Sequence, residues 1–204
     1  MKIICVGRNY IDHAKELDNP IPKEPLLFLK PQTAIPLKGQ PFFIPSFSND
    51  IHHELEVVVK INRIGKHIEE RFAHKYYSEI GLGIDFTARD LQSQLKKKGH
   101  PWERAKAFDN SAPISDKFKS IKEIEDLNSL GFYLQKNGNK VQEGNTKDMI
   151  FSIDQLIAEI SQYFTLKIGD LIFTGTPAGV SRVEKNDVLE GFLNDEKILE
   201  VKVK

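Results

Sequence analysis

The stretch of sequence that most constrains the fold is the apolar run VVV at 57–59, which follows two glutamates in the segment NDIHHELEVVVKI. Such a run is typical of a buried β-strand, in which successive side chains point to opposite faces. With that alternation, His52, Glu54 and Glu56 lie on one face. Two neighbouring carboxylates on a half-buried surface repel each other, and a bound cation is the simplest compensation. The alternative is a pair of exposed acids at a strand end.

Several other segments also have the apolar character of short strands and are bounded by glycine or proline. These segments are KIICVG, PLLFLKP, PFFIP, EIGLGIDF and the closing DVLEGFLNDEKILEVKVK. The dipeptide Asn137-Gly138, placed between FYLQK and NKVQEG, predicts a tight β-hairpin.

Two segments have the spacing of amphipathic helices. FSIDQLIAEISQYF begins with Ser152 and Gln155, which form the pattern of a capping box. TARDLQSQLKKKG is predicted to begin at a Thr87 cap and to end at Gly99. The lysines at 96–98 suit the negative end of that helix dipole, which accounts for the basic run without nucleic acid.

Strands outnumber helices and do not alternate with them, so we predict an α+β, β-rich fold. The 204 residues suit a single domain, residues 1–204. Lys plus Arg and Asp plus Glu both number 29, and this balance argues against a nucleic-acid or membrane-surface partner.

Cellular location is indicated by three features of the chain. No apolar run is long enough to span a membrane, and the apolar part of MKIICVGRNY is too short for a signal peptide. The single Cys5 cannot form an internal disulfide. We therefore expect a cytoplasmic protein.

Three carboxylates lie at the ends of apolar, strand-like segments, and together they indicate a metal site. Asp85 ends GLGID, and it joins Glu54 and Glu56 as a candidate ligand. Oxygen ligands without cysteine suit a hard cation such as Mg²⁺, Mn²⁺ or Ca²⁺. From spacing alone, exposed strand-end acids remain an equal alternative.

Polar residues elsewhere fit acid–base chemistry. His13 and Glu16 are three apart, so on a helix they face together, and the carboxylate makes the histidine a general base for water. Arg89 and Gln92 follow Asp85 by four and seven residues, and with Lys106 they suit an anionic oxygen. A surface histidine pair and a solvated helix face are the alternatives.

These segments together resemble the fumarylacetoacetate hydrolase family, specifically its short single-domain members similar to acylpyruvases and oxaloacetate decarboxylases. The resemblance runs in family order from Gly7 to Val180. It rests on VGRNYIDHAKEL, PLLFLKPQTA, HHELEV, GIDFTARDLQSQLKKKGHPWERAKAFD, EGNTKDMIFS and GDLIFTGTPAGV.

The resemblance implies a mixed, strongly curved β-roll, a homodimer and a role for each matching residue. It implies that QLKKKGHPWER orders over the site as a lid, although a plain surface loop is an equal alternative. It implies metal ligands at Glu54, Glu56 and Asp85, a catalytic dyad of His13 and Glu16, a catalytic Lys106, and substrate contacts from Arg89, Gln92, Lys30 and Thr176.

The function implied first is metal-dependent hydrolysis of the C–C bond of a 3-acylpyruvate, giving pyruvate and a carboxylic acid. The same site would serve an oxaloacetate decarboxylase or a 2-hydroxyhepta-2,4-diene-1,7-dioate-type isomerase, because all three reactions pass through an enolate. A metal-binding protein without catalysis is a further alternative. A small keto acid is the expected partner, and Mg²⁺, Mn²⁺ or Ca²⁺ the expected cofactor.

Overall fold

A computed structural model describes residues 1–18 and 20–204 of the chain. Strands dominate this part of the chain, as the α+β, β-rich prediction requires. The strands are β1 (Ile3–Gly7), β2 (Leu26–Lys30), β3 (Ile51–His53), β4 (Leu55–Ile61), β5 (Tyr77–Ile84), β6 (Thr87–Ala88), β7 (Lys119–Ser120), β8 (Gly131–Lys136), β9 (Asn139–Asn145), β10 (Leu171–Phe173), β11 (Ser181–Arg182), β12 (Val188–Leu193) and β13 (Glu196–Lys202).

The α-helices of the described residues are fewer than the strands. They are α1 (Ile11–Glu16), α2 (Glu70–Ala73), α3 (Arg89–Lys98), α4 (Glu103–Lys106) and α5 (Ile153–Tyr163). Four single 3₁₀ turns lie at Gln32–Ala34, Ile121–Glu123, Leu127–Ser129 and Thr146–Asp148. Among the residues described, no helix is both long and apolar enough to cross a membrane.

The strands of the described chain form three sheets, of which only the largest has mixed direction. The largest has the order β2-β1-β10-β4-β5-β7, in which β1 and β10 are parallel and the other neighbours antiparallel. A small sheet has the order β11-β3-β6, and a third has β13-β12-β8-β9. Because β1 and β10 run in the same direction, their carboxyl ends lie at the same edge of the sheet.

The two faces of β4 alternate as the sequence predicts. Leu55, Val57 and Val59 pack into the larger apolar cluster, whereas Val58 packs into a smaller one. Glu54 and Glu56 are also buried, at 4% and 2% exposed, so they are not exposed strand-end acids. Glu54, which immediately precedes β4, and Glu56, within β4, are therefore both enclosed by the fold.

Local turn and cap signals are confirmed in three cases and wrong in one. The hairpin at Asn137-Gly138 joins β8 to β9, and Ser152 and Gln155 form the predicted capping box of α5. Thr87, however, does not cap α3, because it pairs with His52 as part of β6. Gly99 ends α3 in the left-handed conformation, as predicted.

Candidate active site

Three buried carboxylates meet at the end of the central strands. Glu54 precedes β4, Glu56 lies in β4, and Asp85 follows β5, the antiparallel neighbour of β4. One oxygen from each lies within 4.8 Å of the others. The strand pairing therefore brings together all three acids that the sequence analysis selected.

Two buried lysines bind this triad. Lys106 Nζ, on α4, donates to Glu54 Oε2 and to Asp85 Oδ2, at 2.7 Å in both cases. Burial alone would lower the pKa of Lys106, but the charges of Asp85 and Glu54 outweigh burial and raise it. Lys30 Nζ lies 2.7 Å from Asp85 Oδ1, and it donates to the Ser111 carbonyl at 2.9 Å.

The triad still has an unmet requirement for positive charge. Within residues 1–18 and 20–204, Asp85 Oδ1 forms an ion pair with Lys30 but accepts no aligned hydrogen bond, because Lys30 Nζ donates to the carbonyl and hydroxyl oxygens of Ser111. In the part of the chain that the structure describes, the Gly175 N–H is the one donor to Glu56, at 2.7 Å. Burial raises the pKa of Glu56 well above its usual value, and the charges of Asp85 and Glu54 add to this effect. These features fit a divalent cation held by oxygen ligands.

Glu54 is the best-compensated acid of the three. It pairs with Lys106 and with Arg89. Burial opposes ionisation, but those two cations outweigh burial and hold the pKa of Glu54 well below its usual range. Arg89 NH1 also donates to Gln92 Oε1 at 2.8 Å, whereas its buried Nε has no hydrogen-bond partner among the described residues. An orphaned buried donor of this kind suits an anionic ligand.

The predicted dyad forms on α1. His13 Nδ1 lies 3.2 Å from Glu16 Oε2, and the other oxygen of Glu16 accepts the Gly179 N–H at 2.9 Å. This pairing assigns the Nδ1–H tautomer, which leaves Nε2 as a base. Burial lowers the pKa of His13, although the Glu54 charge and the Glu16 hydrogen bond oppose this shift, so the imidazole is neutral at physiological pH.

Thr176 joins the site through a buried hydrogen-bond chain. Its hydroxyl donates to the Leu55 carbonyl at 2.8 Å and accepts from Gln142 Nε2 at 2.9 Å. Gln142 Oε1 in turn receives the Leu55 N–H and lies 2.8 Å from His53 Nδ1. Burial lowers the pKa of His53 to about 4, so this histidine stays neutral and serves as a hydrogen-bond partner.

One pocket contains most of the residues that the sequence analysis selected. Lys30 and Glu16 do not line this pocket, but Lys30 pairs with Asp85 and Glu16 pairs with His13, which do. The pocket is lined by His13, Glu54, Glu56, Asp85, Arg89, Gln92, Lys106 and Thr176, together with Val6, Gly7, Arg8, Leu17, Phe28, Lys96 and Trp102.

Sequence reasoning missed four residues that reach or support this pocket. Gln142 and His53 form the chain behind Thr176, and no local pattern marks either one. Arg8 lies in the segment VGRNY next to the dyad, which was a usable signal. Lys96 was assigned to the helix dipole, although it follows Arg89 by seven residues and so shares its helix face.

Comparison with known proteins gives consistent matches over the whole chain. A family model described as fumarylacetoacetate (FAA) hydrolase C-terminal matches residues 2–204. The chain is 46% identical over 188 residues to a protein of Rattus norvegicus named oxaloacetate tautomerase, mitochondrial, covering 92% of this chain and 85% of the relative. It is 45% identical over 190 residues to an oxaloacetate decarboxylase, mitochondrial, of Dictyostelium discoideum, covering 93% and 87% respectively.

A solved structure shows the same fold with ligands bound. It is described as fumarylpyruvate hydrolase from Pseudomonas aeruginosa in complex with Mn²⁺ and pyruvate. The TM-score is 0.93 at 33% sequence identity, covering 100% of this chain and 89% of that chain. The buried acidic triad and this relative together point to a divalent metal.

Proposed function

Because the chain belongs to the fumarylacetoacetate hydrolase family, an enzyme family, we propose that it is a metal-dependent enzyme acting on oxaloacetate through its enol form. Relatives named oxaloacetate tautomerase and oxaloacetate decarboxylase support this function. The sequence analysis placed acylpyruvate hydrolysis first and gave oxaloacetate decarboxylation as an alternative, but it did not include tautomerisation of oxaloacetate. The single observation that carries the proposal is that His13, paired with Glu16, lines the same pocket as the carboxylate triad.

Glu54, Glu56 and Asp85 would hold the cation, for which we propose Mg²⁺ or Mn²⁺, with Ca²⁺ as the alternative. When bound, the cation supplies Lewis-acid polarisation of a keto oxygen. The chain supplies the charge balance around it, because Lys30, Lys106 and Arg89 already pair with two of the acids. Those three cations do not pair with Glu56, so Glu56 is the acid whose charge a bound cation would compensate.

His13 is the proposed base. Oxaloacetate enolises when a proton leaves C3, and the Nε2 lone pair of His13 can accept it. Glu16 fixes the imidazole tautomer through Nδ1 and stabilises the imidazolium that forms. The bond from Gly179 N–H to Glu16 holds the dyad against the loop that follows β10.

Lys106 is the proposed electrostatic partner of the enolate. Two of its three N–H donors are committed to Glu54 and Asp85, which leaves one for a substrate oxygen. Arg89, with its free buried Nε, and Gln92 are proposed to bind the substrate carboxylate beside it. Removal of one such donor typically raises the activation free energy of the reaction by about 3 kcal/mol.

Acylpyruvate hydrolysis is the second candidate, and the pocket wall favours it. Val6, Leu17, Phe28 and Trp102 give this pocket an apolar side that suits an acyl chain. His13 would then take a proton from water, and the hydroxide would attack the distal carbonyl. The named fumarylpyruvate hydrolase with the same fold supports this candidate.

Three assays on one purified preparation separate these functions. Loss of the enol of oxaloacetate is followed by ultraviolet absorbance, pyruvate release from oxaloacetate by a coupled dehydrogenase, and cleavage of acetylpyruvate by formation of acetate. Each runs with Mg²⁺, with Mn²⁺, with Ca²⁺ and with EDTA. We expect metal-dependent acceleration of enol loss, abolished in Glu54→Gln.

The outcomes of the assays decide between the candidates. Metal-dependent pyruvate release from oxaloacetate, without faster enol loss, would make the enzyme a decarboxylase. Equal amounts of pyruvate and acetate from acetylpyruvate would establish the hydrolase. No acceleration in any assay would contradict the proposal.

The assembly and location of the protein remain predictions. We propose a single catalytic domain over residues 1–204 that forms a homodimer, and light scattering after size-exclusion chromatography measures the mass. The cytoplasmic location predicted from sequence is tested by fractionation, because some relatives are named as mitochondrial.

A further inference from the structure

The β10–β11 loop, residues 174–180, contacts both parts of the proposed site. Gly175 N–H donates to Glu56 Oε2 at 2.7 Å, and Gly179 N–H donates to Glu16 Oε1 at 2.9 Å. Glu56 is a proposed metal ligand, and Glu16 orients the imidazole of the proposed base. Two backbone groups of one loop therefore hold one carboxylate of the triad and the carboxylate of the dyad.

The loop passes very close to neighbouring chain at both of these N–H donors. Gly175 has a φ of +99°, and a Cβ there would lie 2.6 Å from Asn9 Cβ. Gly179 has a φ of +97°, and a Cβ there would lie 2.3 Å from the Val141 carbonyl oxygen. Only glycine allows this conformation and this approach, so the path of the loop is closely defined at both ends.

The middle of the β10–β11 loop is held by Gln142, which lies on β9 in a different sheet. Gln142 Nε2 donates to the Thr176 hydroxyl at 2.9 Å and to the Pro177 carbonyl at 3.0 Å. Gln142 Oε1 accepts the Leu55 N–H at 3.0 Å and lies 2.8 Å from His53 Nδ1. One amide therefore uses both of its donors on the loop and its acceptor oxygen on the start of β4.

The same contacts hold the backbone between the two glutamates of the triad. Leu55, which separates Glu54 from Glu56, donates its N–H to Gln142, and its carbonyl accepts the Thr176 hydroxyl at 2.8 Å. Gln142 and Thr176 are each 2% exposed. Buried polar groups left without partners cost free energy, so this arrangement of loop and strand is strongly preferred over others.

We propose that Gln142 is a positioning residue for the metal site and the base, and that it acts through the β10–β11 loop. The inference rests on the proposed function, in which Glu56 binds the cation and Glu16 orients His13. Gln142 does not line the pocket, so its influence passes through the groups that it holds. Without its two donors the middle of the loop is released, and the N–H groups on either side no longer orient the two carboxylates.

A pair of matched substitutions tests the inference. Gln142→Met keeps a side chain of similar length and removes the two N–H donors. Thr146→Val is the control, at a buried residue directly after β9. Its hydroxyl donates to the Leu127 carbonyl at 2.7 Å and accepts the Leu130 N–H at 2.8 Å. The control therefore loses two buried hydrogen bonds that do not involve the β10–β11 loop.

Three measurements are made on each variant: calorimetric titration with Mn²⁺, thermal melting in EDTA, and steady-state kinetics at saturating Mn²⁺. For Gln142→Met we expect roughly 10-fold weaker Mn²⁺ binding and a roughly 10-fold lower kcat for enol loss, with KM close to the wild-type value. Thr146→Val should lower the melting temperature and leave Mn²⁺ affinity and kcat within about twofold of the wild type. Lower stability of Gln142→Met with unchanged Mn²⁺ affinity and kcat, or equal losses of affinity in both variants, would overturn the inference.

A double-substitution cycle measures whether the effect passes through the loop. Thr176→Val removes the hydroxyl that accepts from Gln142, and titration with Mn²⁺ alone avoids the proposed substrate contact of Thr176. We expect the combined variant to bind Mn²⁺ about as weakly as the weaker single variant, because both changes break one connection. Fully additive losses would contradict the inference. If Gln142→Met does not fold, weaker Mn²⁺ binding by Thr176→Val supports the inference and unchanged binding contradicts it.

The Mn²⁺ titration also separates this inference from the proposed function. Weaker Mn²⁺ binding by Gln142→Met supports the positioning role even if the wild type acts on neither oxaloacetate nor acetylpyruvate. Wild-type Mn²⁺ affinity and kcat in Gln142→Met contradict that role even if the wild type proves to be an oxaloacetate tautomerase.

Discussion

Glu56 is the member of the triad with the fewest partners, since the Gly175 N–H is the only donor it meets in the described chain. Glu54, by contrast, compensates both Lys106 and Arg89. The two glutamates lie on one strand face and are chemically alike, yet their surroundings give them opposite pKa shifts. Substitutions at the two positions should therefore have different consequences.

We predict that Glu56→Gln weakens metal binding without destabilising the metal-free protein. Loss of an outer-sphere partner alone costs about 10–100-fold in metal affinity, so loss of a ligand should cost at least about 100-fold. Glu54→Gln should lose metal binding and also about 3 kcal/mol of stability, because it leaves two buried cations poorly compensated. Calorimetric titration measures the metal affinity, and thermal melting in EDTA measures the stability of the metal-free protein. Equal destabilisation by the two variants would contradict this assignment.

We predict that His13→Ala separates the reactions that need a base from the one that does not. Enolisation and acylpyruvate hydrolysis should fall by about 10²–10⁴-fold, the usual contribution of a positioned acid–base group. Decarboxylation of oxaloacetate should fall much less, because loss of CO₂ needs no proton abstraction. Asp12→Asn, an exposed neighbour on α1, is the control. Unchanged enolisation in His13→Ala would remove this residue from the proposed mechanism.

At the scale of elements, a short strand pair determines where helix α3 begins, which the capping pattern in the sequence alone predicts wrongly. The pairing of β6 with β3 sets the start of α3, and Asp90 then accepts the Ser48 hydroxyl at 2.6 Å and the Asn49 N–H at 3.1 Å. These contacts orient Arg89 towards Glu54. The predicted Thr87 cap was wrong because a long-range strand pair displaced a local preference.

Asp170 anchors the beginning of β10, and we predict a pH dependence from it. Its side chain, 1% exposed, binds Lys2 and accepts the Lys2 and Lys167 N–H groups at 2.7 and 2.8 Å. Burial opposes ionisation, but the hydrogen bonds outweigh burial and lower the pKa of Asp170. A carboxyl group whose pKa is lower in the folded than in the unfolded chain stabilises the fold at pH values above its unfolded pKa. This stabilisation is lost as the pH falls through the folded pKa.

The test is melting of Asp170→Asn beside the wild type. We expect a lower melting temperature at neutral pH, and a difference that shrinks as the pH falls from about 5 to about 2. Asp195→Asn, at an exposed aspartate, should behave as the wild type throughout. A pH-independent difference would mean that the ionised carboxylate is not what holds β10.

At the scale of the whole molecule, metal binding should be visible as stability. A ligand that binds only the folded state stabilises it by about 2.7 kcal/mol at 100 times its dissociation constant. For a chain of 204 residues this corresponds to a rise in melting temperature of about 5–10 °C. We predict that rise with Mn²⁺ or Mg²⁺ and its reversal by EDTA. The same rise in Glu56→Gln would show that the ions bind elsewhere.

Sequence reasoning succeeds here where the governing interaction is local. The Asn137-Gly138 hairpin and the capping box of Ser152 depend on a few adjacent residues, and both form. The site is assembled from segments between His13 and Gly179. Periodicity therefore identified its acids and its base as candidates but could not predict that they lie close together in space. Family resemblance made that connection, and it carried no signal for Gln142.

Strand β10 pairs with β1 on one side and β4 on the other, so it joins two halves of the largest sheet. During synthesis on the ribosome, those halves exist long before residues 171–173 emerge. Until then β1 and β4 each keep an unpaired edge, and such edges invite association with other chains. A nascent chain of this protein therefore exposes two strand edges until β10 has been synthesised.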